Sequence, residues 1–529
     1  MKETLIILGA GVMQGPAIRI AKELGFYTIA VDGSRNAPNI SMADRFEHID
    51  LKDKEGIETF ARSLKSSSPR LGIMTAGTDF SASVAWVAEK LDLPGIPYEA
   101  ALNASDKSRM RAVFKKNGLP SPDFITVTKT DFNAIDLPFP LVIKPVDNMG
   151  GRGCRRVDSA EEFPEAVSSA ISFSRTGRAI VEAFMDGPEF SVDAIVYHGE
   201  ITICGLADRH IFFPPYFIEM GHTMPTVIEE EKQAAMLETF RAGVRALGLA
   251  GKENIGAAKG DIKLTAQGPM IGEIAARLSG GYMSGWTYPY SSGAQPIKAA
   301  ILAAMGKEPD GLVPDKKWTC AERAFISIPG TVKKIEGVSQ ARNLPFVNDL
   351  FLRAEEGGKV SFPENNVSKC GNIIASAPER ETAAEAAEAA ARSILIRLDP
   401  SDPQTADFLS ADSVFPPSAF QLTDGLKTAL CALPDFPPEK EAGGGYSIIP
   451  FPAFTSSGLK DYAGRTVEET LKTVRRLTGF PLPLTEKNAD NKTGLGRSFW
   501  AALIRGSYQG AVYYIDRTIG NKGANGREL

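Results

Sequence analysis

The stretch that most restricts the fold is Gly256–Gly281, GAAKGDIKLTAQGPMIGEIAARLSGG. It reads as two alternating strands, Ala257–Leu264 and Met270–Ala276, joined by a turn at Gln267-Gly268-Pro269. A hairpin centred near Gln267 sets Asp261 opposite Glu273 on one face. Like charges directly across a ladder repel unless something positive lies between them. Mg²⁺ is held by one or two carboxylates, with phosphate oxygens and water completing its shell, so the pair points to a nucleotide-phosphate site. Period-2 alternation adds Lys259, Lys263 and Arg277 to that face and turns Ala258, Ile262, Leu264, Ile274 and Leu278 to the other. The competing reading is a solvent-facing hairpin whose charges only keep it soluble; the rest of the chain has to choose.

With 529 residues the chain is long enough for three or four domains. Its net charge of −5 lacks the basic signature of a nucleic-acid binder. Cys154, Cys204, Cys320, Cys370 and Cys431 are too scattered for a metal knuckle, and an odd, dispersed set suits a reducing cytoplasm. Met1 leads almost directly into LIILGA, too short for a secretory signal, and no apolar run is long enough to span a membrane.

Residues 5–31 read strand, glycine turn, helix, strand: a βαβ unit. Gly9, Gly11 and Gly15, with Asp32 ending the second strand, raise a dinucleotide reading, but Gln14 stands where that fingerprint wants glycine. A close backbone approach to a polar substrate or another domain is the favoured role of these glycines. LGIMTAGT extends the parallel sheet and an apolar helix follows to Leu91, with Asp79 expected to cap it, or else to contact substrate.

Residues 103–122 predict a capped helix stopping at Gly118. Lys107 lies at its start, where the helix dipole disfavours a cation; a phosphate partner or simple solvation would each account for it. In PFPLVIKPVDNMGGRGCRRV, Lys144 interrupts an apolar strand, which is costly without an anionic partner. The loop carrying Gly150, Gly151 and Gly153 can aim backbone N–H groups at phosphate oxygens. A flexible turn beside a snorkelling lysine is the alternative, and a Walker A loop is excluded because the lysine precedes the glycines. AIVEAFMDGPEFSVDAIV follows as two strands around Asp186-Gly187-Pro188, flanked by Glu182 and Glu189.

This ordered set, Lys107, Lys144 with its glycine loop, Glu182, Glu189, Asp261, Glu273 and Arg277, resembles the ATP-grasp superfamily, in its carboxylate–amine ligase branch of L-amino-acid ligase and biotin carboxylase-like enzymes. The resemblance covers about residues 1–398. It implies an α/β and α+β multidomain fold: a Rossmann-like pre-ATP-grasp domain over 1–100, a two-lobed ATP-grasp domain over 101–310 and a small C-terminal subdomain over 320–398. It implies ATP with Mg²⁺, for which Mn²⁺ can substitute, and small-molecule carboxylate and amine substrates, and it allows a homodimer. By the same resemblance Lys107 and Lys144 hold phosphates, Gly150, Gly151 and Gly153 close over them, Glu182 with the backbone of Ala183 to Met185 meets adenine, and Glu189 binds ribose. Asp261 and Glu273 match the metal carboxylates. Arg277 matches the arginine that steadies an acyl phosphate, beside a substrate loop of Ser279, Gly280 and Gly281. The chain departs from the family at Ala275, where relatives often have asparagine in E-x-N-x-R, and at Lys259-Gly260, where they often carry histidine and a small hydroxyl residue.

After Gly281, Tyr282, Ser284, Trp286 and Tyr288 are candidates for substrate contact or for aromatic packing. Residues 321–398 read as strands closed by an Ala-rich helix from Glu379 to Leu398. Beyond Pro400 the resemblance ends. Residues 410–520 read as an accessory domain with a capping box at Thr466 and Glu469, a helix-turn-strand ending near Thr518 and a frayed tail. The chain so read is an ATP-dependent carboxylate–amine ligase. The alternatives are a carboxyphosphate-forming enzyme and a nucleotide-binding regulator without turnover.

Overall fold

The computed structural model describes residues 2–129, 136–435, 447–479 and 494–519. The tail beyond 519 and part of the accessory segment lie outside the described residues. The chain divides into two compact units, Met1–Glu322 with Ile374–Glu385, and Arg323–Ile373 with Ala386–Leu529.

The first unit begins with β1 (Thr4–Leu8), α1 (Gly15–Glu23), β2 (Tyr27–Asp32), β3 (Arg45–His48), α2 (Lys54–Lys65), β4 (Leu71–Thr75) and α3 (Ser81–Leu91). The four strands form a parallel sheet in the order β3-β2-β1-β4. After Thr4, β1 is apolar, as suits a strand buried on both faces. The glycine turn closes on itself: Gln14 Oε1 accepts from Gly11 N at 3.0 Å, Gln14 Nε2 donates to the Ala76 carbonyl, and Asp32 Oδ2 accepts from Ala10 N at 2.8 Å. Gln14 thus lies where the dinucleotide fingerprint wants glycine and Asp32 is bound to its own loop, both lining a pocket with Gly9, Gly11 and Gly33. Asp79 does not cap α3; it faces Arg175 Nη2 at 3.7 Å.

α4 (Tyr98–Ser105) and α5 (Lys107–Lys116) replace the single helix expected over 103–122. Asp106 separates them by capping α5, accepting from Ser108 N and Arg109 N. A small antiparallel sheet follows, built from β5 (Phe124–Val127), β6 (Leu141–Pro145), β7 (Arg155–Val157) and β8 (Ala179–Ala183) in the order β5-β8-β6-β7, and backed by α6 (Phe163–Phe173). Next come β9 (Glu189–Tyr197), β10 (Glu200–Phe212), β11 (Ile218–Met224), α7 (Glu230–Ala246), β12 (Ile255–Thr265) and β13 (Gly268–Ala275), the strands running β13-β12-β9-β10-β11 in a second antiparallel sheet. β8 and β9, consecutive in sequence, thus lie in different sheets, and the connector at 184–188 links two lobes. α5 and α7 cover one face of the second sheet with Met110, Phe114, Met236, Phe240 and Val244. Phe240 also accounts for Gly260: a Cβ there would come within 2.5 Å of its ring.

In the second unit, Leu395–Leu398 is a strand paired with Gly330–Glu336, so the helix expected over 379–398 stops at Ser393. Thr466 and Glu469 form the expected capping box, with Val467, Leu471 and Val474 buried. Residues 497–519 are helical on both sides of a break at Gly506-Ser507, and the expected final strand is instead a helix that buries Tyr508, Ala511, Val512 and Ile515 at helical spacing. Among the described residues no helix is long and apolar enough to cross a membrane.

Candidate active site

A bulge aligns the two central carboxylates. The hairpin turns one residue earlier than the sequence suggested, with Thr265 paired to Gly268, and that turn alone would set Asp261 against Gly272. The register slips between Asp261 and Ile262, and Glu273 comes opposite Asp261. A side chain at Gly272 would press on the Asp261 carbonyl at 3.0 Å, and the Gly272 carbonyl accepts from Arg111 Nη2 at 2.6 Å.

The chain itself compensates the facing charges. Asp261 binds Lys259, Arg209 Nη1 at 3.1 Å and Ser191 Oγ at 2.9 Å, and Lys107 Nζ stands 3.6 Å from Glu273 Oε1. Burial works against ionising either carboxyl, but Arg209 and Lys259 around Asp261, and Lys107 and Lys259 around Glu273, overcome it and hold both below the usual carboxylate range. Repulsion across the ladder therefore does not by itself demand a metal. Lys107 Nζ also donates to the Asn148 carbonyl at 2.9 Å, which ties it to the root of the glycine loop. Gly150, Gly151 and Gly153 have φ of 71°, 76° and 68°, a region glycine enters freely. Asn148 anchors the loop, donating to the Phe173 carbonyl and accepting from Met149 N and Arg152 Nε.

Lys144 Nζ lies 2.7 Å from Glu182 Oε2, and Arg111 Nε lies 2.8 Å from Glu182 Oε1. That carboxylate is buried and paired with both cations. For a base there remains the backbone of Ala183 to Met185, where Ala183 N and Phe184 N already serve Asp123 and Pro140 carbonyls and Met185 O accepts from Lys263 Nζ at 3.2 Å. Glu189 is bound to Arg209.

Asp193, fully buried on β9, accepts from Ser279 N at 2.9 Å and from Ser279 Oγ. Burial pushes its carboxyl up to about 6 against the opposing pull of Ser279, Lys259 and Arg277. This bond fixes the start of the loop in which Gly281 and Tyr282 take φ of 60° and 70°, while Gly280 lies so close to Gly77 that a Cβ would meet its carbonyl at 3.1 Å. Arg277 donates from Nη1 to the Leu278 carbonyl at 3.0 Å, and its buried Nε has no hydrogen-bond partner among the described residues. Tyr282, Ser284 and Tyr288 are buried, Ser284 donating to the Ser279 carbonyl and Tyr288 packing under Gly205, so packing describes these three; Trp286 is half-buried beside Tyr282.

Sequence reasoning missed Arg111, Arg209 and Asp193. Arg111 lies one helical turn after Lys107, a spacing that was readable. Asp193 alternates with Glu189 and Ser191 on one strand face. Arg209 gave no signal, because its partners come from three separate strands.

Among the described residues no three His, Cys, Asp or Glu side chains converge as a ready metal cage. Asp261 and Glu273 fit Mg²⁺ in the manner that leaves its other positions to phosphate and water, and the unpartnered Arg277 Nε together with the glycine loop suits a polyanion.

Two antiparallel lobes joined by a short connector thus carry the paired carboxylates, Lys107, Lys144 and the glycine loop. Residues 137–285 match the ATP-grasp domain family, and residues 324–399 match the L-amino acid ligase C-terminal domain 2 family. The chain is 25% identical over 337 residues to the uncharacterized protein y4rH of Sinorhizobium fredii, covering 62% of this chain and 68% of that one. It is 24% identical over 409 residues to carnosine synthase 1 of Gallus gallus, covering 70% of this chain but only 43% of that longer enzyme. The crystal structure of L-amino acid ligase from Bacillus licheniformis shares the fold, with a TM-score of 0.67 and 22% identity over 75% of this chain and 99% of that one. The chain is thus similar, over these segments and in its fold, to ATP-grasp ligases.

Proposed function

We propose that the protein activates a carboxylic acid, of the amino-acid class its relatives' names suggest, as an acyl phosphate, and transfers the acyl group to an amine with release of ADP and phosphate. The observation that carries this reading is Lys107, which stands beside Glu273 and binds the root of the glycine loop, with Lys144 close enough to help lower the Glu273 carboxyl.

Lys107 and Lys144 neutralise phosphate oxygens while the N–H groups of 150–153 close over them, positioning the γ-phosphoryl group for in-line attack by the substrate carboxylate. Mg²⁺, held by Asp261 and Glu273, supplies charge that stabilises the transferring phosphoryl group. Arg277, through its unpartnered Nε, steadies the acyl phosphate and the tetrahedral anion formed when the amine attacks. Asp193 fixes the Ser279–Gly281 loop that borders this site. Ribose binding by Glu189, base binding by the 183–185 backbone, a cytoplasmic setting and a homodimer belong to the same proposal.

The test is ADP release over a panel of amino-acid pairs, with mass detection of the product. Acid- and amine-dependent ADP with a condensation product supports the ligase; ADP release triggered by bicarbonate alone points to carboxyphosphate chemistry. D261A should lower turnover by orders of magnitude with the fold intact, and near-normal ATP consumption by D261A refutes the site.

A further inference from the structure

Arg209 of β10 is met by three carboxylates from three other strands. Glu189 of β9 and Asp261 of β12 share its Nη1, Asp261 Oδ1 at 3.1 Å, while Glu219 of β11 takes Nε at 3.3 Å and Nη2 at 2.8 Å. The Arg209 side chain is only 11% exposed, so these contacts are screened far less than surface pairs. Two of the three carboxylates are those assigned above to ribose and metal. The third, Glu219, has neither role and grips the guanidinium from the other edge. Lys259 covers the second Asp261 oxygen and Lys107 stands beside Glu273, so an incoming cation meets carboxylates already paired with cations.

We propose that Arg209 is the resident counter-cation of Asp261 and Glu189, holding them until metal and ribose take its place, so that a divalent ion enters only together with a triphosphate. The polyphosphate brings the negative charge that releases Asp261 from its resident partners, and Arg209, still tethered by Glu219, withdraws Nη1 without leaving the lobe. The inference rests on the metal role proposed for Asp261. It is therefore tested by metal binding in the absence of acid and amine, not by turnover.

The probe is Mn²⁺ on the full-length protein, with free Mn²⁺ read by electron paramagnetic resonance. Wild-type protein should take up no Mn²⁺ at micromolar concentration until a non-hydrolysable ATP analogue is added. R209M should bind Mn²⁺ without nucleotide at least about tenfold more tightly than wild type, the effect of removing one charge about 5 Å from a divalent ion even in a water-like dielectric. R209K, with the charge kept, should behave as wild type. Wild-type protein that binds Mn²⁺ equally with and without the analogue overturns the proposal, as does R209M with unchanged Mn²⁺ affinity and lost analogue binding, which would make Arg209 a phosphate ligand. Should R209M not fold, the wild-type titration with and without analogue still decides. D261N separates the two claims: if the analogue-dependent Mn²⁺ signal survives in D261N, the metal role itself fails and the inference falls with it.

Discussion

Glu182→Gln isolates the buried triad that positions Lys144. The three side chains are 3% (Glu182), 1% (Arg111) and 14% (Lys144) exposed, with contacts of 2.8 and 2.7 Å. Glutamine keeps the volume and an acceptor but removes the negative charge between the two cations. Breaking a buried pair by removing one partner costs about 3–5 kcal/mol, a large share of the roughly 5–15 kcal/mol that holds a domain folded. At about 2–4 °C per kcal/mol for a domain of this size, melting of the nucleotide unit should fall by about 10 °C. Burial raises the Glu182 carboxyl, but Arg111 and Lys144 bring it below its ordinary value. Its contribution is therefore complete above the unfolded value near 4.3 and is lost as pH falls through the lower folded value, so the gap between E182Q and wild type should close in acid. Thermal unfolding followed by circular dichroism, repeated down to about pH 3, reads both effects. Adding Arg111→Met removes one of the two stranded cations, so the double variant should lose less than the two single losses combined, by about 2 kcal/mol. Strict additivity, or an E182Q loss below about 1 kcal/mol, would refute the reasoning.

Two further outcomes follow from the same geometry. Asp193 is pushed up to about 6 from 3.8; the folded state thus prefers it protonated, and a stability term of about 3 kcal/mol is present below pH 4 and lost as pH rises through 6. D193N should lack that slope in urea unfolding between pH 4 and 7, and parallel curves for the two proteins would count against it. G153A places a side chain at φ of 68° and 2.9 Å from Phe173, costing about 1–2 kcal/mol in backbone conformation alone, and should raise KM for ATP about tenfold. G177A, with φ of 65° and open space around it, should leave KM unchanged.

What the sequence revealed was mostly local. The βαβ unit, the Thr466–Glu469 capping box and the period-2 faces of the hairpin depend on neighbours a few residues apart. Asp261 and Glu273 could be set opposite each other only because an early turn and the Gly272 bulge offset one another. The roles of Glu182, Asp193 and Arg209 depend on which strands lie beside theirs, and cross-strand register is not written in any single segment. The helix break at Gly506-Ser507 carried the turn signal of glycine and serine, but the helical spacing after it was hidden in an evenly apolar run. Lys107 was ambiguous for a related reason: a cation in a first turn has a partner only if another element, here Glu273 of β13, is folded against it.

Oxygen transfer from the acid tests the central claim most directly. With whichever acid and amine trigger ADP release in the panel, the carboxylate is labelled with ¹⁸O and the released inorganic phosphate is analysed by mass. Activation as an acyl phosphate forms a bond from carboxylate oxygen to the γ-phosphorus, and amine attack then breaks the carbon–oxygen bond. One labelled oxygen should therefore appear in each phosphate formed, together with ADP. Label appearing in AMP, or phosphate free of label, would contradict the account.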